Sequence, residues 1–86
     1  MIIKGRQVAA ARELLGLNQE ELATAASVSR NTLHRFEAGL IAPLPETLEK
    51  LQKELESRGI EFSNGEGIGV RLNYAKAESH SLRPSS

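Results

Sequence analysis

Residues 19–39 have the sequence QEELATAASVSRNTLHRFEAG, which predicts two short helices that meet at a sharp bend. The first helix is expected over residues 19–26, because Asn18 can act as its N-cap and Glu21 can complete a capping box. Its apolar positions fall on one face, as in a helix that packs against a protein core. The bend is expected to begin at Ser27.

The second helix is expected to begin after Ser29, which can act as its N-cap, and to run to about Ala38. Gly39 then supplies the positive φ angle that a helix end favours. Leu33 and Phe36 share the face that is expected to pack against the first helix. The opposite face is rich in hydrogen-bond donors, has no apolar residue and belongs to an element that fits the major groove of DNA. Its members are Arg30, Asn31, His34 and Arg35.

The residues at the helix starts, the bend and the helix end form a pattern between positions 16 and 39. They are Gly16-Leu17-Asn18-Gln19, Leu22-Ala23, Val28-Ser29, Thr32-Leu33, Phe36-Glu37 and Gly39. This pattern resembles the Cro/repressor-type (Xre-like) helix-turn-helix family of bacterial and phage transcription regulators, and the resemblance covers roughly the first sixty residues. The resemblance implies a mainly α, lambda-repressor-like DNA-binding domain of four to five helices. One departure is Ser27, where the family usually has Gly, and a positive φ angle would cost serine on the order of 1 kcal/mol.

Matching the family position by position implies two sets of DNA contacts. Residues at the N-terminal end of a recognition helix reach base edges, while Gln19 at the start of the preceding helix matches the glutamine that binds phosphate in the family, with Thr32 as a second phosphate contact. His34 could equally face solvent, and the alternative for the whole face is a merely solvated helix surface. The expected base contacts are Ser29, Arg30, Asn31, His34 and Arg35, and the expected phosphate contacts are Gln19 and Thr32.

The resemblance also implies an ion pair between Arg12 and Glu37. A partly buried carboxylate just past the second helix needs a cation, and arginine offers two parallel donors. Removing one partner of a buried pair costs roughly 3–5 kcal/mol, which makes the pairing testable. The alternative is that both residues are solvated surface charges.

The rest of the chain predicts three further parts. Residues 5–15 are expected to form a helix, and together with a helix starting at Pro45 they complete a helical domain over residues 1–59. Residues 60–74 are expected to form a C-terminal β-hairpin, because apolar and polar residues alternate on both sides of the turn signal Asn64-Gly65. A lone hairpin is marginal in water and needs either its own domain or a second subunit as a partner. Residues 75–86 have little apolar content and are expected to be a disordered tail. The residues assigned to a dimer interface are Ile60, Phe62, Val70 and Leu72, with a possible contribution from Leu40 and Ile41.

Size and composition argue against other functions. The chain has 86 residues, no cysteine and a formal net charge of zero, so we expect one domain without disulfides, in keeping with a reducing cytoplasm. No signal peptide, membrane span, catalytic motif or cofactor is expected. A metal site is not expected either, because His34 and His80 are far apart in sequence. The glycines at positions 65, 67 and 69 precede no predicted helix, which disfavours a phosphate loop.

The sequence therefore predicts a cytoplasmic transcription regulator that binds a double-stranded operator. From the family resemblance we expect a repressor that binds a palindromic site as a homodimer. Because the net charge is zero and the hairpin is expected to be exposed, the alternative is an antitoxin or anti-activator of the same fold that binds a protein partner.

Overall fold

The computed structural model describes residues 2–81, which form five helices and a two-stranded antiparallel sheet. This arrangement confirms the predicted fold class, a mainly helical domain with a C-terminal hairpin. The helix bounds agree closely with those expected from the sequence for the first four helices. In chain order the elements are α1 (Gly5–Leu15), α2 (Gln19–Ala26), α3 (Arg30–Glu37), α4 (Pro45–Ser57), β1 (Ile60–Ser63), β2 (Gly69–Leu72) and α5 (Tyr74–Ser81).

The helix ends follow the expected local chemistry. Gly16 ends α1 in the left-handed conformation with a φ angle of 69°. At the start of α2 the Glu21 backbone N–H donates to Asn18 Oδ1 over 2.8 Å, and the Asn18 N–H donates to Glu21 Oε1 over 2.9 Å. These two bonds form the predicted capping box. Ser27 lies at the bend with a φ angle of 58°, in the conformation where glycine would be favoured.

The hydrophobic core is formed by side chains from every element between the N-terminal segment and β1. α2 packs against α3 and α4, and α1 packs against β2, α3 and α4. Full burial of a leucine or isoleucine contributes roughly 1.5–3 kcal/mol, so this layer provides the main force that holds α3 in place. The buried apolar residues are Ile3, Val8, Ala11, Leu22, Ala23, Ala26, Leu33, Phe36, Leu51, Leu55, Ile60 and Phe62.

The hairpin is bound to α1 by one buried amide side chain that the sequence pattern did not single out. Gln7 Nε2 lies 2.7 Å from Asn64 Oδ1, 3.1 Å from the Gly69 carbonyl oxygen and 3.2 Å from the Ser63 carbonyl oxygen. Gln7 Oε1 accepts a hydrogen bond of 2.8 Å from the backbone N–H of Lys4. The buried amide is therefore satisfied, and it joins the loop of the hairpin to the start of α1.

The hairpin packs on its own domain, which is one of the two partners that the sequence left open for it. Ile60 pairs with Leu72 and Phe62 with Val70 in the antiparallel register. Ile60 is 1% exposed and Phe62 is 9% exposed, while Val70 and Leu72 are partly buried against the same core. Ile60 and Phe62 are therefore already used within one chain. A dimer contact through the partly exposed Val70 and Leu72 stays a prediction.

The prediction of a disordered tail from Ala75 onwards is wrong for residues 75–81, which belong to α5. Asn73 Oδ1 caps this helix by accepting hydrogen bonds of 3.0 Å from the Ala75 N–H and 3.3 Å from the Lys76 N–H. The Asn73 N–H in turn donates to the Gly59 carbonyl oxygen over 2.8 Å. The low apolar content of this segment gives no information about these hydrogen bonds, which cap α5 and attach its start to Gly59. Residues 82–86, the rest of the predicted tail, lie outside the described residues.

Candidate nucleic-acid interface

The second helix of the helix-turn-helix, α3, is attached to the protein by one face only. Leu33 and Phe36 are buried in the core beneath it. The polar residues of the opposite face recur at positions i, i+1, i+4 and i+5, which lie on one side of a helix. All four are exposed, and they are Arg30, Asn31, His34 and Arg35.

The start of α3 is held by the expected cap. Ser29 Oγ accepts a hydrogen bond of 3.3 Å from the backbone N–H of Thr32. Ser29 itself is exposed and Thr32 is partly buried. Both residues therefore stand at the exposed N-terminal end of the helix, where the sequence prediction placed a base contact and a phosphate contact.

The charge of this face is available to an external partner. Within residues 2–81, neither Arg30 nor Arg35 forms an ion pair. Arg30 lines a shallow depression together with Asn31 and His34. Guanidinium and carboxamide groups can each form paired hydrogen bonds with base edges, so this depression offers the donor types used in base recognition.

The N-terminal end of α2 lies beside the start of α3. A second shallow depression is lined by Arg30 together with Asn18, Gln19, Glu20 and Arg12. Backbone N–H groups at a helix N-terminus attract phosphate, and Arg30 adds a cation to the same depression. The structure thus brings the predicted phosphate contact Gln19 into one depression with the predicted base contact Arg30, although 11 positions separate the two in sequence.

Gln19 is oriented by the protein. Its Nε2 atom donates a hydrogen bond of 3.0 Å to Glu37 Oε1. One amide hydrogen and the Oε1 atom remain for a ligand. The phosphate contact itself stays a prediction. Glu37 is the residue that orients the Gln19 side chain.

Glu37 is also the partner of Arg12, as the resemblance implied. Arg12 Nε donates to Glu37 Oε2 over 3.0 Å and Arg12 Nη2 donates to Glu37 Oε1 over 2.9 Å, while Nη1 donates to the Leu17 carbonyl oxygen over 3.0 Å. The side chains of Arg12 and Glu37 are only 15% and 6% exposed. The hydrogen bond to Glu37 raises the pKa of Arg12 above its ordinary value. This pair therefore joins α1, the end of α3 and, through Gln19, the start of α2.

Gly5 permits a close approach of α1 to the end of α3. A Cβ atom at this position would lie 2.0 Å from the Phe36 carbonyl oxygen and 2.8 Å from its carbonyl carbon. No larger residue fits there without a backbone shift. The sequence prediction missed this role, and its only signal was a glycine in the first turn of a helix, where alanine has the higher helix propensity.

The described residues contain no group of three or more His, Cys, Asp or Glu side chains arranged to hold a metal ion. Over the same range, no helix combines the length and apolar content needed to cross a membrane. The glycine-rich loop after β1 leads into β2.

In this small helical domain, the exposed face of α3 is cationic and rich in hydrogen-bond donors. This is the architecture of a DNA-binding helix-turn-helix module. The sequence profile of the Cro/C1-type helix-turn-helix (Xre-like) family matches residues 8–62, which extend from α1 to β1. The chain belongs to this family, whose members are DNA-binding regulators rather than enzymes. A comparison with curated proteins gave no match. The protein is thus a DNA-binding, transcription-regulating protein.

Proposed function

We propose that this protein is a sequence-specific repressor that binds a palindromic operator as a homodimer, in the cytoplasm. The observation that carries this proposal is the division of α3 into two faces. Leu33 and Phe36 fix one face in the core, while Arg30, Asn31 and Arg35 point away from it. A donor-rich face held rigidly by its own core can read bases without first becoming ordered.

Each exposed side chain has a base for which its geometry is suited. Arg30 and Arg35 can each donate two hydrogen bonds to O6 and N7 of guanine, and Asn31 can pair with N6 and N7 of adenine. Ser29 and His34 complete the proposed set of base contacts. Gln19 and Thr32 contact phosphate and set the register of the domain on the duplex.

Two copies related by a twofold axis would place their α3 helices in successive major grooves about 34 Å apart. Such an arrangement explains why an operator for this domain should be palindromic. Occlusion of a promoter by the bound dimer is the simplest route to repression.

The test is a selection of bound duplexes from a random library, followed by affinity measurements with single variants. Each of the variants Arg30→Ala, Asn31→Ala and Arg35→Ala should weaken binding to the selected site by about 1–3 kcal/mol and relax the preference at one base position. The control is Lys50→Ala, which removes one exposed positive charge from α4. Unchanged base preference after all three α3 substitutions together would refute the proposal.

The second candidate function is an antitoxin or anti-activator that binds a protein. It is favoured by the net charge of zero and by an apolar groove beside the end of α3. Salt dependence separates the two candidates, because DNA binding through several phosphate contacts weakens by orders of magnitude as salt rises. Binding through an apolar surface changes little over the same range. Stoichiometric capture of one protein without retained duplex would favour this second function.

A further inference from the structure

An open apolar groove of about 650 Å³ lies between the N-terminal segment, the loop from α3 to α4 and the hairpin loop. Apolar side chains from all three parts line it, among them Ile2, Ile41, Pro43 and Ile68. Ile2 is 70% exposed and Ile68 is 55% exposed, so neither side chain is buried by the protein's own core. Contiguous apolar surface of this kind on a small domain marks an interaction site.

The groove offers positive charge to a ligand. Lys4 and Arg6 line it, and both are exposed and form no ion pair within residues 2–81. Glu37 is the acidic residue among the described lining residues, but its side chain is 6% exposed and is paired with Arg12. Two uncompensated positive charges next to apolar surface favour a partner that carries both acidic and apolar side chains.

The surface continues beyond Arg6. A smaller depression of about 120 Å³ is lined by Arg6 and Ile68 together with Ala10 and Val70. Because the two depressions share Arg6 and Ile68, they form one surface that extends from the loop after α3 to β2. A surface of this elongated form suits a peptide segment.

The loop between α3 and α4 adds hydrogen-bonding groups to the groove. Ile41 and Ala42 line the groove and lie outside the helices and strands. Within residues 2–81, their backbone N–H and C=O groups form no hydrogen bond. An extended peptide can pair with such groups, in which case main-chain hydrogen bonds give affinity and the side-chain contacts give specificity.

From these observations we propose that the groove binds an extended segment of a partner protein in which acidic and apolar residues are interspersed. The apolar side chains of the segment contact Ile2, Ile41 and Ile68, and its carboxylates approach Lys4 and Arg6. The proposal goes beyond operator binding. It gives a defined partner chemistry to the groove that favours the second candidate function.

The first experiment selects ligands for the purified full chain, without DNA, from a phage-displayed library of random short peptides. We expect the selected peptides to combine acidic with large aliphatic or aromatic residues, and fluorescence anisotropy measures the affinity of their synthetic forms. Ile68→Ser should weaken this binding roughly tenfold, because it removes apolar contact area without adding charge. The matched control is Leu14→Ser, which changes an exposed apolar residue outside both depressions and should leave the affinity unchanged. Circular dichroism establishes that both variants keep the native helix content.

The second experiment reverses the charges. Arg6→Glu should weaken the binding of a selected peptide roughly tenfold. The control Lys50→Glu makes the same change at an exposed residue of α4 outside the groove and should have almost no effect. A peptide in which lysine replaces each acidic residue should bind the double variant with Lys4→Glu and Arg6→Glu more tightly than it binds the natural chain.

Three results would overturn the proposal. They are a library that yields no ligand, selected peptides without acidic residues, and an affinity that Ile68→Ser leaves unchanged. A fourth is that the double variant with Lys4→Glu and Arg6→Glu keeps its affinity for the peptide but binds duplex DNA of any sequence less tightly, because the two cations would then serve the phosphate backbone.

Failure of this groove can be distinguished from failure of operator recognition, because the two surfaces lie at opposite ends of α3. Arg30 and Asn31 are in its first turn, whereas Phe36 and Glu37 in its last turn line the groove. Ile68→Ser should therefore keep the base preference of the natural chain. A preferred operator without any peptide ligand ends the groove proposal alone, and an acidic peptide ligand without a preferred duplex ends the operator proposal alone.

Discussion

Replacing Arg12 with alanine should destabilise the protein by about 3 kcal/mol. The substitution removes two donors from Glu37 and one from the Leu17 carbonyl oxygen, and it leaves a carboxylate that is 6% exposed without a cation. Loss of one partner from a buried ion pair costs roughly 3–5 kcal/mol. We expect the lower end, since Arg12 is 15% exposed and Gln19 still donates to Glu37. The free energy of unfolding of an ordinary domain is about 5–15 kcal/mol, so a loss of about 3 kcal/mol is a large fraction of the total stability.

The assay is urea unfolding monitored by circular dichroism, with the natural chain and Arg12→Ala measured under identical conditions. A loss of about 3 kcal/mol lowers the urea midpoint by roughly 1–3 M at the slopes usual for small domains. Arg12→Lys should lie between the two, because lysine keeps the charge and loses the paired geometry.

The control for the loss of a positive charge is Lys53→Ala, whose partner Glu49 lies on the exposed face of α4. This variant should unfold almost as the natural chain does, because a solvated pair contributes little. An Arg12→Ala midpoint equal to that of Lys53→Ala would refute the reasoning and show that the pair does not hold α1 to α3.

Three further predictions concern single positions. Gly5→Ala should destabilise the domain by roughly 1–3 kcal/mol in urea unfolding, because the new Cβ meets the Phe36 carbonyl oxygen at 2.0 Å; a stabilised variant would mean that α1 can move away. Ser27→Gly should raise the free energy of unfolding by roughly 0.5–1 kcal/mol, because glycine adopts the φ angle of 58° without strain, and a loss of stability would contradict this. Hydrogen bonds from Lys76, Arg71 and Asn73 lower the pKa of Glu61 to about 2 from 4.5, so its stabilising effect is complete above about pH 4.5 and is lost as the pH falls towards 2. NMR titration of the Glu61 carboxyl group measures this directly, and an ordinary midpoint near 4.5 would show that its contacts to these three side chains do not persist in solution.

The helix-turn-helix could be predicted from the sequence because its signals are local. The capping box at the start of α2 and the glycine at the end of α1 each act within three or four residues, and both appear where expected. The buried face of α3 followed from the spacing of Leu33 and Phe36, which is set by the helix period. The exposed residues of the opposite face were thereby identified as well.

The environment of the hairpin could not be predicted in the same way. Its alternating pattern correctly indicated strands, but alternation does not state which surface covers the apolar side. Ile60 and Phe62 were therefore assigned to a second subunit, whereas they pack into their own core. Gln7 gave no signal, because a glutamine in a helix is ordinarily solvated, and here it is buried.

The sequence by itself determined the four helices of the DNA-binding unit, their ends and the donor-rich face of α3, since helix period and capping are interactions between near neighbours. Only the tertiary structure decided that Gln7 reaches Asn64 across 57 positions and that Glu37 holds both Arg12 and Gln19. It also decided which apolar residues stay exposed around the groove. These features depend on which distant segments meet, because burial and hydrogen bonding at a contact are properties of both partners and not of either segment alone.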